Sequence, residues 1–301
     1  MTVNADQTEK EAYLRQISRL SFKNARWNRK SITEMRDFLG PWNHNIKLSH
    51  RVFTANCEDY YPAHQEIMKI INQQLGGNFR RKRVVDIGCL EGYFSAECAL
   101  QGAKVLGVEG KTINLKKCEF VNSVLGIKNL SFVKDDAMKV TKKKYGTFDV
   151  VLALGLLYHL DDPFTFLENI SKLCTGFLLL DTHVALREQP TSSGGWKPDV
   201  SPLTEFKFRN KTYAGRLYRE FDPDATQLAK DLSVGTSLKN EHSAWLTEDS
   251  LVALLHDVGF EQVSKFVFPE RDNAWWSDTK ADARVLLLAI RKRNSFKSRV
   301  H

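Results

Sequence analysis

From residue 83 onward the apolar positions fall in short, nearly unbroken runs that alternate with stretches of helical periodicity. The runs 83–87, 104–109, 130–133, 148–154 and 177–180 read as strands, and 93–101, 113–125 and 163–173 between them read as helices. Strands apolar on both faces and separated by helices predict an α/β fold with a parallel sheet covered on both sides. A helix over 247–258, capped by Thr247, carries Glu248 and Asp249 at its positive end and is closed by Gly259. Strands at 260–268 and 284–290 then finish the sheet.

Two segments break this rhythm. Residues 7–39 read as helix, with Tyr13, Ile17, Leu20 and Trp27 on one face and Arg15, Arg19, Lys23, Arg26 and Lys30 on the other, ended by Gly40-Pro41. Residues 185–244 lack the pattern altogether, far beyond the ~2–6 residues of an ordinary α/β connection. They contain Gly194-Gly195 and a hairpin, 205–209 and 212–221, turning at Asn210-Lys211. The organisation expected is an N-terminal helical extension over 1–50 and a ligand-binding domain over 51–301, with 185–244 as an inserted cap.

Composition narrows the class. A chain of 301 residues that is 42% hydrophobic can bury one large core plus an extension. The formal charge of +8 favours solubility and encounter with an anionic partner, whether nucleic acid, a phosphorylated metabolite or an acidic membrane surface. No apolar run approaches the ~18 residues of a membrane span, and the N-terminus lacks a signal-peptide core. Five scattered cysteines (Cys57, Cys89, Cys98, Cys118, Cys174) with no C-x-x-C pair indicate neither a disulfide framework nor a zinc site, and suit a reducing cytoplasm.

The chemistry concentrates where the first strand turns into a helix, at Val84-Val85-Asp86-Ile87-Gly88-Cys89-Leu90-Glu91-Gly92-Tyr93-Phe94. Gly88 lets backbone approach a ligand, and Gly92 lets the helix pack close to the strand. The spacing departs from the G-x-G-x-x-G of dinucleotide sites, and Glu91 in the loop would repel a pyrophosphate. A cationic sulfonium ligand meets no such conflict. Glu109, at the end of the second strand, can accept both hydroxyls of a ribose. Asp136, in Asp135-Asp136-Ala137 at the end of the third, can accept an adenine amino group.

These residues, with the strand over 148–154, resemble the class I S-adenosylmethionine-dependent methyltransferases across 83–183, and the final helix and strands resemble that family too. The resemblance implies a Rossmann-like, seven-stranded, mostly parallel sheet whose last strand is antiparallel, and S-adenosyl-L-methionine as cofactor. It places Gly88 and its loop, Cys89, Leu90 and Gly92, at the methionine part, and counts Asp86 among the cofactor-binding residues. Glu109 and Gly110 fall at the ribose, Asp136 and Ala137 at the adenine, and Leu154 and Gly155 beside the sulfonium. Leu156-Leu157-Tyr158-His159 and Pro163 further resemble the V-L-Y-H-x-x-x-P stretch of tRNA wobble-uridine carboxymethyltransferases and their relatives, as Trp42 to Leu48 resembles their W-x-H-x-I-x-L segment. The Trp-rich stretch of the tRNA enzymes is replaced here by Arg51-Val52-Phe53-Thr54-Ala55-Asn56, which favours methyl over carboxymethyl transfer.

Transfer to oxygen or nitrogen needs a base, since the acceptor must lose a proton. His159, just beyond the fourth strand, is the first candidate, with Tyr158 beside it lining the acceptor pocket and His183 as a second base. A metal held by His159, His183 and an Asp lacks ligand spacing. Trp42, His44, Trp245, Trp275 and Trp276 could wall the acceptor site. Three functions follow: a small-molecule methyltransferase; a tRNA-modifying enzyme using the basic face 15–30, residues 80–83 and 142–144 and the tail to hold RNA; and a cofactor-binding scaffold without catalysis.

Overall fold

The computed structural model describes residues 2–55, 62–188, 200–267 and 284–291. The chain begins with α1 (Thr2–Ser18), α2 (Arg29–Leu39), a ribbon of β1 (Lys47–Ser49) and β2 (Val52–Phe53), and α3 (Pro62–Gln74). Then come β3 (Arg83–Ile87), α4 (Tyr93–Leu100), β4 (Lys104–Glu109), α5 (Thr112–Leu125), β5 (Leu130–Lys134), α6 (Lys142–Tyr145), β6 (Phe148–Leu154), α7 (Pro163–Leu173) and β7 (Cys174–His183). A cap holds β8 (Thr204–Phe208), β9 (Lys211–Arg219), α8 (Gln227–Leu232) and β10 (His242–Leu246). The chain returns through α9 (Glu248–Asp257), β11 (Gln262–Phe266) and β12 (Arg284–Ile290).

The main sheet has seven strands in the order β11-β12-β7-β6-β3-β4-β5. Pairs β3–β4, β3–β6, β4–β5 and β6–β7 are parallel, whereas β12 runs antiparallel to both β7 and β11. The fold is therefore Rossmann-like, with the reversed strand next to last in the sheet. The chain leaves β3 toward β4 and β5, then crosses back to lay β6 on the other side. Ligands of open α/β sheets bind in the crevice at such a reversal, outside the carboxyl ends of the strands.

Period-two alternation divides the core. Val84, Val105, Val150, Leu152 and Leu179 point to the face covered by α3, α4, α5 and the N-terminal helices. Val85, Ile87, Val151, Ala153 and Leu178 point to the face covered by α7 and α9. Ile17, Phe22, Ile32 and Leu39 belong to the first of these clusters, so the N-terminal helices share its apolar contacts.

The continuous helix expected over 7–39 is two helices. Asn24 takes a left-handed φ of 62° in the break, and Asn28 caps α2 by accepting from the Ser31 N–H at 2.9 Å while its own N–H donates to Ser31 Oγ. The break lets Phe22 and Trp27 turn inward onto Phe120 of α5, at centroid distances of 5.8 and 5.1 Å. Arg19, Lys23 and Arg26 thus leave the helix, and the basic face over 15–30 is not one surface. Residues 62–74 form α3, an element the sequence reading passed over although His64, Ile67, Met68 and Ile71 recur at helical spacing and are buried.

The expected hairpin is present as β8 and β9. To it is added β10, paired antiparallel to β9 with Trp245 opposite Arg216, so the cap's sheet takes in residues as far as Leu246. Cys57, Gly194-Gly195, Trp275, Trp276 and the tail beyond Arg291 lie outside the described residues. Among those described, no helix is long and apolar enough to cross a membrane.

Candidate active site

A cavity of about 470 Å³ opens over the carboxyl ends of β3, β4, β5, β6 and β7, and residues 234–240 of the cap line it too. Asp86, Gly88, Cys89, Leu90, Glu109, Gly110, Asp136, Ala137, Leu154 and Gly155 all line it, as do Tyr158 and His159. Side chains and backbone from four strand ends, separated by up to 73 residues in the chain, are thus brought to one place.

Gly88 follows β3 with φ +70°, and a Cβ there would lie 2.9 Å from Leu156 Cδ1. The left-handed φ favours glycine, and any other residue would also displace the Leu156 side chain. Gly92 is different. It does not line the cavity; a Cβ on it would press on Phe132 at 2.9 Å and on the Cys118 sulfur at 3.3 Å, so its part is to seat α4 against the sheet. Glu91 also departs from expectation. It is fully buried and turned away from the cavity, accepting from the Asn43 and His44 N–H groups and from Lys117 Nζ at 2.9 Å. Neutralised by Lys117, it cannot repel a ligand, so that argument against a diphosphate does not hold.

The remaining carboxylates are what the cavity presents. Burial pushes Asp86 up to about 6, against the hydrogen bond it accepts from Ser95 Oγ at 2.7 Å. Burial likewise pushes Glu109 up to about 7, although Leu90 and Lys111 donate their N–H groups to its two oxygens at 3.0 and 2.8 Å. Asp136 accepts from the Met138 N–H and stands 3.7 Å from Lys239 Nζ of the cap. Desolvated carboxylates in a cavity wall favour a cationic ligand, which restores what burial removes. An adenosyl sulfonium bearing an ammonium group fits that wall.

Lys111 ties the cap to this rim. Its ammonium donates to the carbonyls of Lys230 and Ser233 and to Thr236 Oγ1, and burial lowers it to about 8. Leu238 covers Gly110, where a Cβ would meet it at 3.1 Å.

At the far end, the turn after β6 carries Tyr158 and His159. His159 Nδ1 is 3.0 Å from both oxygens of Glu220, a buried carboxylate just past β9. Burial works to raise Glu220, but the hydrogen bond and charge of His159 outweigh it and hold the carboxyl below its ordinary value. Tyr158 packs edge-on to His183 at 4.5 Å, and burial raises its phenol. His183 does not line the cavity; it stacks on Trp245 at 5.2 Å with 12° between the rings. Trp245 itself is held by an indole bond to the Tyr158 carbonyl, and Trp42 lies against Lys117 and Phe120, so neither walls the site.

Several lining residues were not read from the sequence. Arg284, the first residue of β12, forms a bidentate ion pair with Asp181 at the end of β7, over Gly155 and the Tyr158 ring. His64 is another, edge to face at 5.0 Å with His44, which the sequence did mark as a wall and which lines the cavity; burial brings both down to about 3, helped at His44 by Lys117 and at His64 by His44, so both are neutral. The approach of a sheet's last strand to the ligand crevice, and acidic residues at the ends of β3, β4, β5 and β7, are the signals that could have marked Arg284 and Asp181. Among the described residues no cluster of three or more His, Cys, Asp or Glu could hold a metal ion.

A family model described as a methyltransferase domain matches residues 60–265, more than half of the chain. The chain belongs to that methyltransferase-domain family. It is similar to the tRNA U34 carboxymethyltransferase of Helicobacter hepaticus, 25% identical over 213 residues that cover 64% of each protein. It is similar also to the ubiquinone biosynthesis O-methyltransferase of Ralstonia nicotianae, 29% identical over 139 residues, covering 46% of this chain and 56% of that one. The match thus spans less than two thirds of these relatives' own length. Among solved structures, the N-terminal domain of EvdMO1 in the presence of SAH and D-fucose superposes with a TM-score of 0.64 at 24% identity, covering 88% of this chain and 98% of that one, a likeness of fold.

Proposed function

We propose that the chain binds S-adenosylmethionine in the 470 Å³ cavity and methylates an oxygen or nitrogen of a small-molecule acceptor. The observation that carries this reading is the convergence of Asp86, Gly88, Glu109, Asp136 and His159 on one cavity. When bound, the cofactor supplies a methyl group made electrophilic by positive sulfur. Gly88 and Leu90 give it backbone to lie against. Glu109 accepts the ribose hydroxyls, and Asp136 accepts the adenine amino group. Residues 234–240 exclude water, so the charges that develop are felt more strongly. His159 takes the acceptor's proton, with Tyr158 forming the wall beside it.

The cap favours a small acceptor, because its segment 234–240 stands over the cavity and Lys111 fastens it there. The EvdMO1 domain, with its SAH and D-fucose, lends the same reading support. A second reading, a tRNA-modifying transferase, is supported by the Helicobacter relative and by Leu157-Tyr158-His159. One experiment separates them: cell extract is incubated with the protein and cofactor labelled in the methyl group, and products are resolved by mass spectrometry. Label in a low-mass compound supports the first reading. Label in tRNA, with binding that weakens steeply as salt rises, supports the second. Absence of heat on titrating S-adenosylmethionine into the protein rejects both.

A further inference from the structure

We infer that Glu220, delivered by the cap, is the positioning residue that makes His159 a competent proton acceptor; the inference rests on the function proposed above. A carboxylate can only accept, so the imidazole nitrogen between its two oxygens must donate. With Nδ1 of His159 3.0 Å from Oε1 and Oε2, the proton of the neutral ring sits on Nδ1. Nε2 keeps its lone pair and is the atom left to face an acceptor in the cavity.

The carboxylate is itself fixed. Its side chain is 1% exposed, and the Ser237 N–H donates to Oε2 at 3.1 Å. The cap grips the backbone of the same turn at three successive carbonyls: Trp245 Nε1 donates to Tyr158 at 2.7 Å, Asn240 Nδ2 to His159 at 3.1 Å, and the Ala244 N–H to Leu160 at 2.9 Å. The cap therefore holds both the ring and the carbonyl of residue 159, while its N–H stays within the turn, donating to the Leu156 carbonyl at 2.9 Å. Of the other titratable groups, Tyr158 packs on the imidazole, with ring centroids 4.1 Å apart, and Asp136, Asp161, Asp181, Lys239 and Arg284 line the same cavity.

The step balances. The acceptor's O–H or N–H proton moves to Nε2 of His159, and the acceptor's electron pair forms the new bond to the methyl carbon. The pair of the breaking C–S bond leaves with sulfur. Positive charge thus passes to the imidazolium, which is born against the Glu220 carboxylate and stabilised by it.

The test compares wild type with Glu220→Leu, which removes the acceptor, and Glu220→Asp, which keeps it one methylene away. Proteins are labelled with nitrogen-15 histidine, and the signals of residue 159 are identified by their loss in His159→Gln. In wild type these signals are those of the Nδ1–H tautomer, and in Glu220→Leu they become those of a mixture. Label transfer from methyl-labelled cofactor into extract falls about a hundredfold at pH 7 in Glu220→Leu, its rising pH limb moves to lower pH, and Glu220→Asp recovers part of the loss. Titration of S-adenosylmethionine reads the same affinity in all three, showing that the cavity survives. An unchanged tautomer in Glu220→Leu overturns the inference, as does a loss of transfer without any change in tautomer or pH profile, because Glu220 would then only staple the cap. Transfer at the wild-type rate by His159→Gln would instead sink His159 as the base, and the tautomer comparison would still decide whether Glu220 sets the ring.

Discussion

Two carboxylates in the cavity wall carry a pH dependence whose sign follows from their burial. Glu109 is raised from 4.5 to about 7 and Asp86 from 3.8 to about 6. A raised folded-state value means the empty protein holds more protons than its unfolded chain between about pH 4 and 7. Their contribution is therefore fully present at acid pH and is lost as pH rises through those values. Cofactor binding should run the other way, since on the proposed function Glu109 takes both ribose hydroxyls and would do so only when ionised. Affinity for S-adenosylmethionine should rise about tenfold from pH 6 to pH 8, the change in the ionised fraction of one group titrating near 7. Calorimetric titration at the two pH values checks this, and a flat profile removes Glu109 from the ribose. A second residue-scale outcome concerns the fully buried Glu91–Lys117 pair. Lys117→Met leaves a carboxylate buried and uncompensated, at a cost of about 3–5 kcal/mol in urea denaturation, and adding Glu91→Gln should return much of it. Asp86, Gly88, Glu109, Asp136 and His159 were legible because each follows an apolar run that marks a strand end. Lys117, Asp181, Arg284 and Glu220 were not, because only tertiary packing brings them to their partners.

At the scale of elements, the cap differs from the sheet in how it is held. Strands β3 to β7 are fixed by ladders and two apolar layers, whereas α8 and residues 233–236 are fastened to the rim largely through Lys111. Lys111→Met should speed amide exchange across 230–237 while leaving β3, β4 and β6 protected, as read by hydrogen-exchange mass spectrometry. Equal protection in both proteins would mean the cap is held by other contacts. Helices and strands from 83 to 180 matched their sequence patterns closely, because burial on both faces leaves a strong apolar signature. The same pattern misled over 7–39. Leu20 and Trp27 do face the core, but by way of a turn at Asn24 rather than along a continuous helix, and apolar spacing alone cannot distinguish the two. The cap's sheet was half seen, since β10 opens on polar His242 and Ser243 and draws its partners from 23 or more residues away.

The whole molecule is bound together more tightly than a division into extension and domain suggests. Ile17, Phe22 and Leu39 pack in the same cluster as Phe120 and Val105. Removal of residues 1–46 should therefore abolish cooperative thermal unfolding, and a truncated chain that melts like the intact one would show the helices to be dispensable. The position of β12 has a further consequence. It lies inside the sheet, between β7 and β11, yet it follows both in the chain. As the polypeptide leaves the ribosome, the strands from β3 to β7 can condense first, while β11 must wait without a neighbour until the next strand emerges and inserts beside it. Since that strand also brings the guanidinium of Arg284 to Asp181, the pocket receives one of its walls only after β11 has been made, and a nascent chain stalled before that point would offer the cofactor an unfinished vessel.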